Sequence, residues 1–232
     1  MKAFLLAAGL GTRLRPITDT LPKCMVPVAG RPLLDIWLDN MARAGIDEVL
    51  VNLHHLPHMV AAHLDGRRGP PGTRTAFEPT LLGSAGTLVA NRGWTEDQEV
   101  VLAFNADNLT DFDLRLLIDA HLATTPVATL AVIHTEHPRQ CGILEVDDGG
   151  VMTAFTEKPA EPKGDLANAG MYAFDPAILD EIGAPPKDIG FDVLPSLVGR
   201  ARTLTVSGYF RDIGSPHALQ QAELEWPEVA RT

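Results

Sequence analysis

The 232-residue chain has few cysteines, no long apolar run and fewer basic than acidic residues. Its two cysteines, Cys24 and Cys141, are too few and too far apart for a disulfide framework, so we expect reduced thiols. No apolar stretch approaches the ~18 residues that span a membrane, and we expect no signal peptide after Met1. The net charge of −11 disfavours general nucleic-acid binding. These absences predict a cytoplasmic protein with no nucleic-acid or membrane partner.

Apolar strand patterns alternate with amphipathic helix patterns through the first half of the chain. This alternation predicts an α/β fold with a largely parallel sheet covered by helices on both faces. The strands are expected at 2–7, 47–53, 99–104 and 127–133, and the helices at 32–44, 57–65, 84–91 and 113–123. The segment 66–73 is rich in glycine and proline and is predicted to be a surface loop.

The second half has a different pattern. Two short strand patterns at 142–146 and 151–156 flank Asp147-Asp148-Gly149-Gly150 and predict a β-hairpin. Further elements are expected as strands at 169–174 and 203–206, and as helices at 176–182 and 215–225.

A glycine turn follows the first predicted strand and leads into clustered positive charge. Gly9 and Gly11 allow the backbone to present N–H groups to an anion, and Arg13 offers a planar fork that suits phosphate oxygens. Lys23 adds a second positive charge. A dinucleotide fingerprint would need a third glycine where Leu14 stands, and a Walker A loop would need Gly-Lys-Ser/Thr. The turn therefore predicts a different kind of phosphate loop, with a plain turn and solvated arginines as the alternative.

The run GLGTRLRPITDTLPKCMVPVAGRP resembles the signature of the nucleoside-triphosphate:sugar-1-phosphate nucleotidyltransferases, GxGTRLxPxTxxxPKxxxPVxxKP, with Arg31 where many members have lysine. The resemblance continues through residue 226. It implies a Rossmann-like mixed α/β fold and a reaction that joins an NTP to a sugar 1-phosphate, releasing pyrophosphate, with Mg²⁺. By the same resemblance, Arg13 and Lys23 are catalytic residues that contact the phosphates. The nucleotide-binding residues of this loop are expected to be Leu6, Ala8, Gly9, Gly11, Thr12 and Arg13.

Asp107 lies just after the buried strand 99–104, where ligands of open α/β sheets bind. A carboxylate there can hold Mg²⁺ together with phosphate oxygens. The family places one metal-binding aspartate at the position of Asp107, which is also expected to be catalytic, and a second at Asp212 in the late turn FRDIGSP. Helix or loop capping is the alternative for both. Asn105 stands where glycine is common and is expected to bind substrate.

The sugar-phosphate side is predicted from three further family motifs. In Thr156-Glu157-Lys158-Pro159, the resemblance implies that Glu157 accepts hydrogen bonds from sugar hydroxyls and that Lys158 meets the 1-phosphate. It also implies that Asn168 and Gly142 lie against the sugar. The alternative for Glu157-Lys158 is a solvated hairpin end.

The segment FEPTLLGSAGT resembles the family's base-binding segment, so Glu78, Gly83, Gly86 and Thr87 are expected to bind nucleotide. A carboxylate only accepts hydrogen bonds, and the Watson–Crick edge of guanine offers two donors where uracil and thymine offer one. Glu78 therefore favours guanine, and with the LGSAGT run it resembles guanylyl-type members of the family, which implies GTP with a mannose- or heptose-type 1-phosphate. Uridylyl or thymidylyl transfer stays open, and so does a surface charge at a strand end.

The family resemblance implies one domain over 1–232, with a nucleotide-binding half at about 1–125 and a sugar-phosphate half at about 126–232. A homodimer is possible because dimers are usual in the family. A non-catalytic nucleotide-sugar-binding regulatory subunit is the alternative from another class, and a dehydrogenase is disfavoured by the missing third glycine. His54, His55 and His58 are interpreted as a helix-entry loop rather than a metal cluster, and Trp37 as a core residue.

Overall fold

The computed structural model describes residues 1–229 of the chain. The strands of this part are β1 (Lys2–Leu6), β2 (Pro27–Val28), β3 (Arg31–Pro32), β4 (Glu48–Leu53), β5 (Gly72–Phe77), β6 (Val101–Asn105), β7 (Asn108–Thr110), β8 (Ala128–His134), β9 (Gly142–Val146), β10 (Met152–Glu157), β11 (Leu166–Phe174), β12 (Ala201–Thr205) and β13 (Phe210–Asp212).

The helices of the same part are α1 (Leu33–Arg43), α2 (Pro57–Gly66), α3 (Ser84–Ala90), α4 (Leu114–Thr124), α5 (Ile178–Glu181) and α6 (Pro216–Val229). Single turns of 3₁₀ helix and one π-helical turn join them. The turns that bear on function are the 3₁₀ segments Thr12–Leu14 and Lys23–Met25 and the π-helical segment Ile189–Val193. None of the helices within residues 1–229 is long and apolar enough to cross a membrane.

The chain forms two compact units, each built from separate stretches of sequence. The first contains Met1–Leu81, Phe104–Leu114 and the described residues from Ser207 to Val229, and the second contains Leu82–Ala103 and Arg115–Val206. The assignment of 1–232 to a single domain stays a prediction.

Parallel strands form the core of the first unit. β1 pairs in parallel with β4, from Lys2 opposite Glu48 to Leu5 opposite Val51, and β4 pairs in parallel with β5. The inner residues of β1 and almost all of β4 are buried, as near-continuous apolar strands in a parallel sheet should be. β5 was not predicted, because its sequence GTRTAF is largely polar and mostly exposed at the end of the strand order. The loop predicted at 66–73 is therefore wrong for its last two residues, which begin β5, and for Gly66, which ends α2.

The second unit pairs its strands mainly in the antiparallel sense. β8 lies between β11, which is antiparallel to it, and β12, which is parallel. The hairpin predicted from Asp147-Asp148-Gly149-Gly150 is confirmed as the antiparallel pair β9–β10. β11 begins at Leu166, earlier than predicted, and α5 covers only Ile178–Glu181. The mixed α/β fold class is confirmed.

Within the described residues, neither Cys24 nor Cys141 forms a disulfide, as predicted. Cys24 is buried, and burial raises the pKa of its thiol to about 12. The thiol therefore stays protonated and packs as a small apolar group.

Trp37 of α1 is a core residue, as predicted. It is 2% exposed, its Nε1 donates to the carbonyl oxygen of Asn108 at 2.7 Å, and its ring centroid lies 5.7 Å from that of Phe104. Its side chain thus ties α1 to the segment that follows β6.

We predict that Trp37→Ala lowers the free energy of unfolding by about 3–5 kcal/mol, because it leaves a large cavity and removes the hydrogen bond to Asn108. Urea unfolding measures this change. Leu224→Ala, at a side chain that is 67% exposed, is the control and should stay within about 0.5 kcal/mol of the wild type. Equal stabilities of the two variants would contradict the core assignment.

Candidate active site

The side chain of Asn52 holds the backbone that leads from β1 into the glycine turn. The side-chain Oδ1 of Asn52, near the end of β4, accepts hydrogen bonds from the backbone N–H groups of Ala7 at 2.6 Å and Ala8 at 3.2 Å. Ala7 and Ala8 lead directly into Gly9 and Gly11. The direction in which the chain leaves the sheet is therefore fixed before the turn begins.

Gly11 adopts a backbone conformation that suits glycine, with φ of 62°. Its carbonyl oxygen accepts from Leu14 N at 2.9 Å and from Thr18 Oγ1 at 2.8 Å. A Cβ atom at this position would lie 2.9 Å from Thr18 Cγ2 and 3.2 Å from Lys23 Cβ. The turn is thus packed closely against the stem of Lys23. Gly9, by contrast, faces open space.

Lys23 lies between two aspartates. Its Nζ donates to Asp107 Oδ2 at 2.8 Å and to Asp212 Oδ1 at 3.4 Å. The lysine is only 8% exposed, whereas the carboxylates keep 41% and 46% of their side-chain surface. The two carboxylates converge on one buried ammonium group and remain open to a ligand.

Backbone pairing brings Asp107 and Asp212 together although they are far apart in sequence. Ala106 N donates to the carbonyl of Leu6, at the end of β1, at 3.1 Å, and Ile213 N donates to the carbonyl of Asp107 at 3.2 Å. β7 and β13 form a short antiparallel ribbon in which Asn108 lies opposite Asp212. The predicted pair of aspartates is therefore adjacent within the first unit.

Arg13 adds a second positive charge beside Asp212. Its Nη2 lies 3.3 Å from Asp212 Oδ2, and 57% of its side chain is exposed. Gly214 makes room for this contact, since a Cβ there would lie 2.6 Å from Arg13 Nη2. The backbone N–H of Gly214 also donates to Asp212 Oδ1 at 2.6 Å. The positive charges of Arg13 and Lys23 therefore balance the negative charges of Asp107 and Asp212, although the chain as a whole is acidic.

The residues present fit a magnesium ion. Mg²⁺ is typically held by one or two carboxylates, with the remaining positions taken by water and substrate phosphate oxygens. Asp107 and Asp212 supply two partly exposed carboxylates within reach of a common cation, the Lys23 ammonium. Arg13 and Lys23 supply the charge that phosphate oxygens would meet.

Glu78 is buried rather than exposed at a strand end. It is 3% exposed, and its Oε1 accepts a hydrogen bond from Asn52 Nδ2 at 2.9 Å. Asn52 in turn accepts from the N–H groups of Ala7 and Ala8. The carboxylate therefore supports the start of the glycine turn through Asn52. The interpretation of Glu78 as a solvated surface charge is wrong.

The histidines near Glu78 hold loops in place. His54 Nδ1 lies 2.7 Å from the carbonyl oxygen of Glu78, and His55 Nε2 lies 2.7 Å from that of Thr18. Both contacts fit the predicted helix-entry loop, because each ring nitrogen pairs with backbone.

In the second unit, the predicted base-binding turn is packed against a later loop. Gly83 has φ of 77°, and a Cβ there would lie 2.2 Å from the carbonyl oxygen of Lys187. That oxygen accepts from Ala85 N and Gly86 N, both at 3.0 Å. Thr87 is fully buried, and its hydroxyl bonds the Gly83 carbonyl at 3.1 Å. The buried Thr87 side chain thus stabilises the turn through this hydrogen bond.

Glu157 at the end of β10 lies between two glycines. A Cβ would lie 2.5 Å from Glu157 Oε2 if placed on Gly142 and 2.6 Å if placed on Gly190. Lys158 Nζ is 3.6 Å from Glu157 Oε1. Burial raises the pKa of Glu157 and Asp188 raises it further, while Lys158 opposes the rise. Only 13% of the Glu157 side chain is exposed, whereas Lys158 keeps 56%, so the description as a solvated hairpin end fits the lysine alone. The binding role of the pair stays a prediction.

Asn168 lies where β11 shifts register against β8, between Asn168 and Tyr172. Its Nδ2 donates to the Tyr172 hydroxyl at 2.7 Å, and its Oδ1 accepts from Gly170 N at 3.0 Å. These contacts fix the amide within the second unit.

Four supporting residues were missed by sequence reasoning. Asn52 is a polar residue in an apolar strand, a signal that can be read from sequence. Asp188 and Gly190 carry no comparable signal, because their roles depend on long-range contacts. Gly214 does carry one, since it stands in the late turn FRDIGSP that was used only to assign Asp212. Asn105 is the last residue of β6 and directly precedes the segment that carries Asp107.

The family model described as Nucleotidyl transferase matches residues 2–228. The chain belongs to this family. It is 30% identical to a mannose-1-phosphate guanyltransferase of Debaryomyces hansenii over 223 residues, which cover 93% of the chain and 62% of that protein. It is 32% identical to a UTP–glucose-1-phosphate uridylyltransferase of Synechocystis over an alignment of 249 positions, which covers 100% of the chain and 60% of that protein. The chain thus spans about 60% of the length of these curated relatives.

Solved structures with the same fold include HddC from Yersinia pseudotuberculosis, determined with GMP-PN. It superposes with a TM-score of 0.82 over 97% of this chain and 99% of that one, at 21% sequence identity. This likeness confirms the predicted nucleotidyltransferase-type fold.

We predict that Glu78→Ala lowers the free energy of unfolding by about 1–3 kcal/mol, because the buried Asn52 amide loses its acceptor. Glu78→Gln keeps an oxygen that can accept from Asn52 and is the matched control, with a markedly smaller loss. Urea unfolding of both variants measures the difference. If the two variants are equally stable, the hydrogen bond to Asn52 contributes nothing to the fold.

Glu157 should make stability depend on pH. Because its folded-state pKa is raised, the folded protein holds this proton to higher pH than the unfolded chain does, so stability is lost as pH rises from the unfolded to the folded pKa. Glu157→Gln removes this loss, so the variant should gain melting temperature relative to the wild type as pH rises from 4 towards neutrality. Thermal-shift measurements give the melting temperatures of both proteins. If the difference between them does not change over that pH range, the fold does not raise the pKa of Glu157.

Proposed function

We propose that this chain transfers a nucleotidyl group from an NTP to a sugar 1-phosphate, giving an NDP-sugar and pyrophosphate. The observation that carries the proposal is the convergence of Asp107 and Asp212 on the buried Lys23 ammonium. The glycine turn lies against the stem of the same lysine. Membership of the nucleotidyl transferase family supports the reaction class.

The first unit would handle the triphosphate. Gly9, Gly11 and Thr12 present the turn to the phosphates, with Leu6 and Ala8 leading into it. Arg13 is placed to stabilise charge on the leaving pyrophosphate, because its guanidinium is exposed and its planar fork suits phosphate oxygens. Lys23 neutralises charge on the reacting phosphates.

Asp107 and Asp212 are the residues that would hold Mg²⁺. Bound there, the ion would lower the repulsion between anionic phosphates and neutralise developing charge. The carboxylates themselves fix Lys23, so the positive charge of the turn is in place before substrate binds.

The bond changes need no covalent enzyme intermediate. An oxygen of the sugar 1-phosphate attacks the α-phosphorus of the NTP, and the bond from that phosphorus to the bridging oxygen of the β-phosphate breaks. Pyrophosphate leaves with the electron pair. The protein contributes positioning and charge neutralisation. One phosphoanhydride replaces another, so the reverse reaction should also run.

The second unit would supply sugar and base contacts. Glu157, between Gly142 and Gly190, accepts hydrogen bonds from sugar hydroxyls, and Lys158 meets the 1-phosphate. Asn168 is a further sugar contact, and Asn105 is a substrate contact of the first unit. Gly83 and Gly86, packed against Lys187, shape the turn at which the family motif would place base and ribose. These roles rest on the family motifs and on the packing around each residue.

For the base we propose guanine, with a mannose- or heptose-type 1-phosphate as the second substrate. The similarity to a mannose-1-phosphate guanyltransferase supports this choice. Glu78 does not add to it, because its carboxylate is buried and bonded to Asn52. Uridylyl transfer is the second candidate, favoured by the similarity to the Synechocystis uridylyltransferase. A homodimer and a cytoplasmic location stay predictions.

A matrix of four NTPs against several sugar 1-phosphates, with pyrophosphate release as the readout and Mg²⁺ present, tests the proposal. We expect release above background only when both substrates are present, and the fastest release with GTP. Release with UTP instead would favour the second candidate. Tight nucleotide-sugar binding with no release in any pair would favour a regulatory subunit and contradict an enzyme.

Asp107→Asn should reduce turnover by about 10²–10³-fold, because the amide keeps the size of the side chain but loses the charge that would hold a cation. Pyrophosphate release with Mg²⁺ varied measures the loss. Asp119→Asn, at an exposed aspartate paired with Arg115 on α4, is the matched control and should keep wild-type turnover. Near-normal turnover of a correctly folded Asp107→Asn protein would remove Asp107 from the site.

A further inference from the structure

Phe191 is a large aromatic side chain that the fold leaves exposed. It is 61% exposed and belongs to the π-helical turn Ile189–Val193 of the second unit. Single exposed apolar residues are common on protein surfaces. The position of Phe191 therefore matters only if the surrounding contacts place it at a site.

The turn that carries Phe191 is fixed at both ends by side chains. Asp188 accepts from Ser84 Oγ at 2.9 Å and from the backbone N–H of Phe191 at 3.1 Å. Ser84 Oγ in turn accepts from Ile189 N at 2.7 Å, and Lys187 Nζ donates to Asp192 Oδ1 at 2.9 Å. The exposed ring is thus carried on a turn whose backbone is held by hydrogen bonds.

This backbone is pressed against the proposed sugar-binding carboxylate. A Cβ on Gly190 would lie 2.6 Å from Glu157 Oε2 and 3.0 Å from its Cδ. The next residue, Phe191, has its ring centroid 5.6 Å from Lys158 Nζ. The turn therefore places an exposed aromatic ring directly beside the Glu157-Lys158 pair.

We propose that Phe191 is a sugar-specificity residue whose ring packs on the C–H face of the pyranose of the bound sugar 1-phosphate. A pyranose ring carries hydroxyl groups at its edge and C–H groups on its faces. The weakly positive C–H groups suit the negative face of an aromatic ring, and the contact removes apolar surface from water. Glu157 and Lys158 address the hydroxyls and phosphate, and Phe191 supplies the apolar contact they lack. This inference rests on the proposed function.

Initial rates with each substrate varied in turn test the assignment. Phe191→Ala should raise KM for the sugar 1-phosphate on the order of three- to tenfold, with KM for the NTP unchanged within twofold. Phe191→Tyr keeps the ring and should restore the wild-type value. Leu116→Ala, at another exposed apolar residue of the second unit, is the control and should change neither constant. An unchanged sugar KM, or equal rises in both constants, overturns the proposal.

A structural role through Lys158 predicts a different result. If Phe191 only held Lys158, the double variant Phe191→Ala/Lys158→Ala would be no weaker than Lys158→Ala alone. Direct contact with the sugar predicts that the two effects multiply. A double variant equal to Lys158→Ala overturns the proposal.

A binding experiment tests the role of Phe191 independently of turnover. Saturation-transfer NMR with α-mannose 1-phosphate reports contact between protein protons and sugar ring protons without turnover. The wild type should transfer saturation to the ring protons, and Phe191→Ala should lose most of it. Absent pyrophosphate release with this binding pattern would refute the proposed function alone. Equal transfer in both proteins, or none in the wild type, would refute the role of Phe191.

Discussion

The buried ammonium of Lys23, held by Asp107 and Asp212, is the interaction on which the account of the site depends. A charge that is 8% exposed is costly unless it is paired, and two carboxylates from distant segments provide the pairing. The same carboxylates remain about half exposed. The contacts of Lys23 therefore hold three distant stretches of the chain together. They also leave two carboxylates exposed where a divalent cation can bind.

Many residues of this candidate site could be proposed from sequence because they stand in short motifs that resemble those of the family, although the contacts between the motifs are long-range. Gly9 faces open space and Gly11 has a positive φ. Arg13 and Lys23 follow them within the same short motif. Glu157 and Lys158 were recognised from their motif at a strand end. The apolar strands and amphipathic helices of the first half were predicted within a few residues, because their periodicity is strong.

Other features depend on contacts that no local pattern contains. β5 has a polar sequence and exists because β4 offers it a parallel partner. Glu78 was expected from its motif to bind nucleotide, whereas in the fold it is buried and bonded to Asn52. Gly190 has no motif, and its importance appears only when β10 places Glu157 against it. Each of these residues acts across dozens of positions in the chain, which sequence spacing alone does not reveal.

The most direct test is to locate a divalent cation in crystals grown with Mn²⁺, a non-hydrolysable GTP analogue and a sugar 1-phosphate. We expect an anomalous peak within coordination distance of carboxylate oxygens of both Asp107 and Asp212, with phosphate oxygens completing the shell. Bound nucleotide with the peak away from these two aspartates, or with both carboxylates still on Lys23 and no peak, would contradict it.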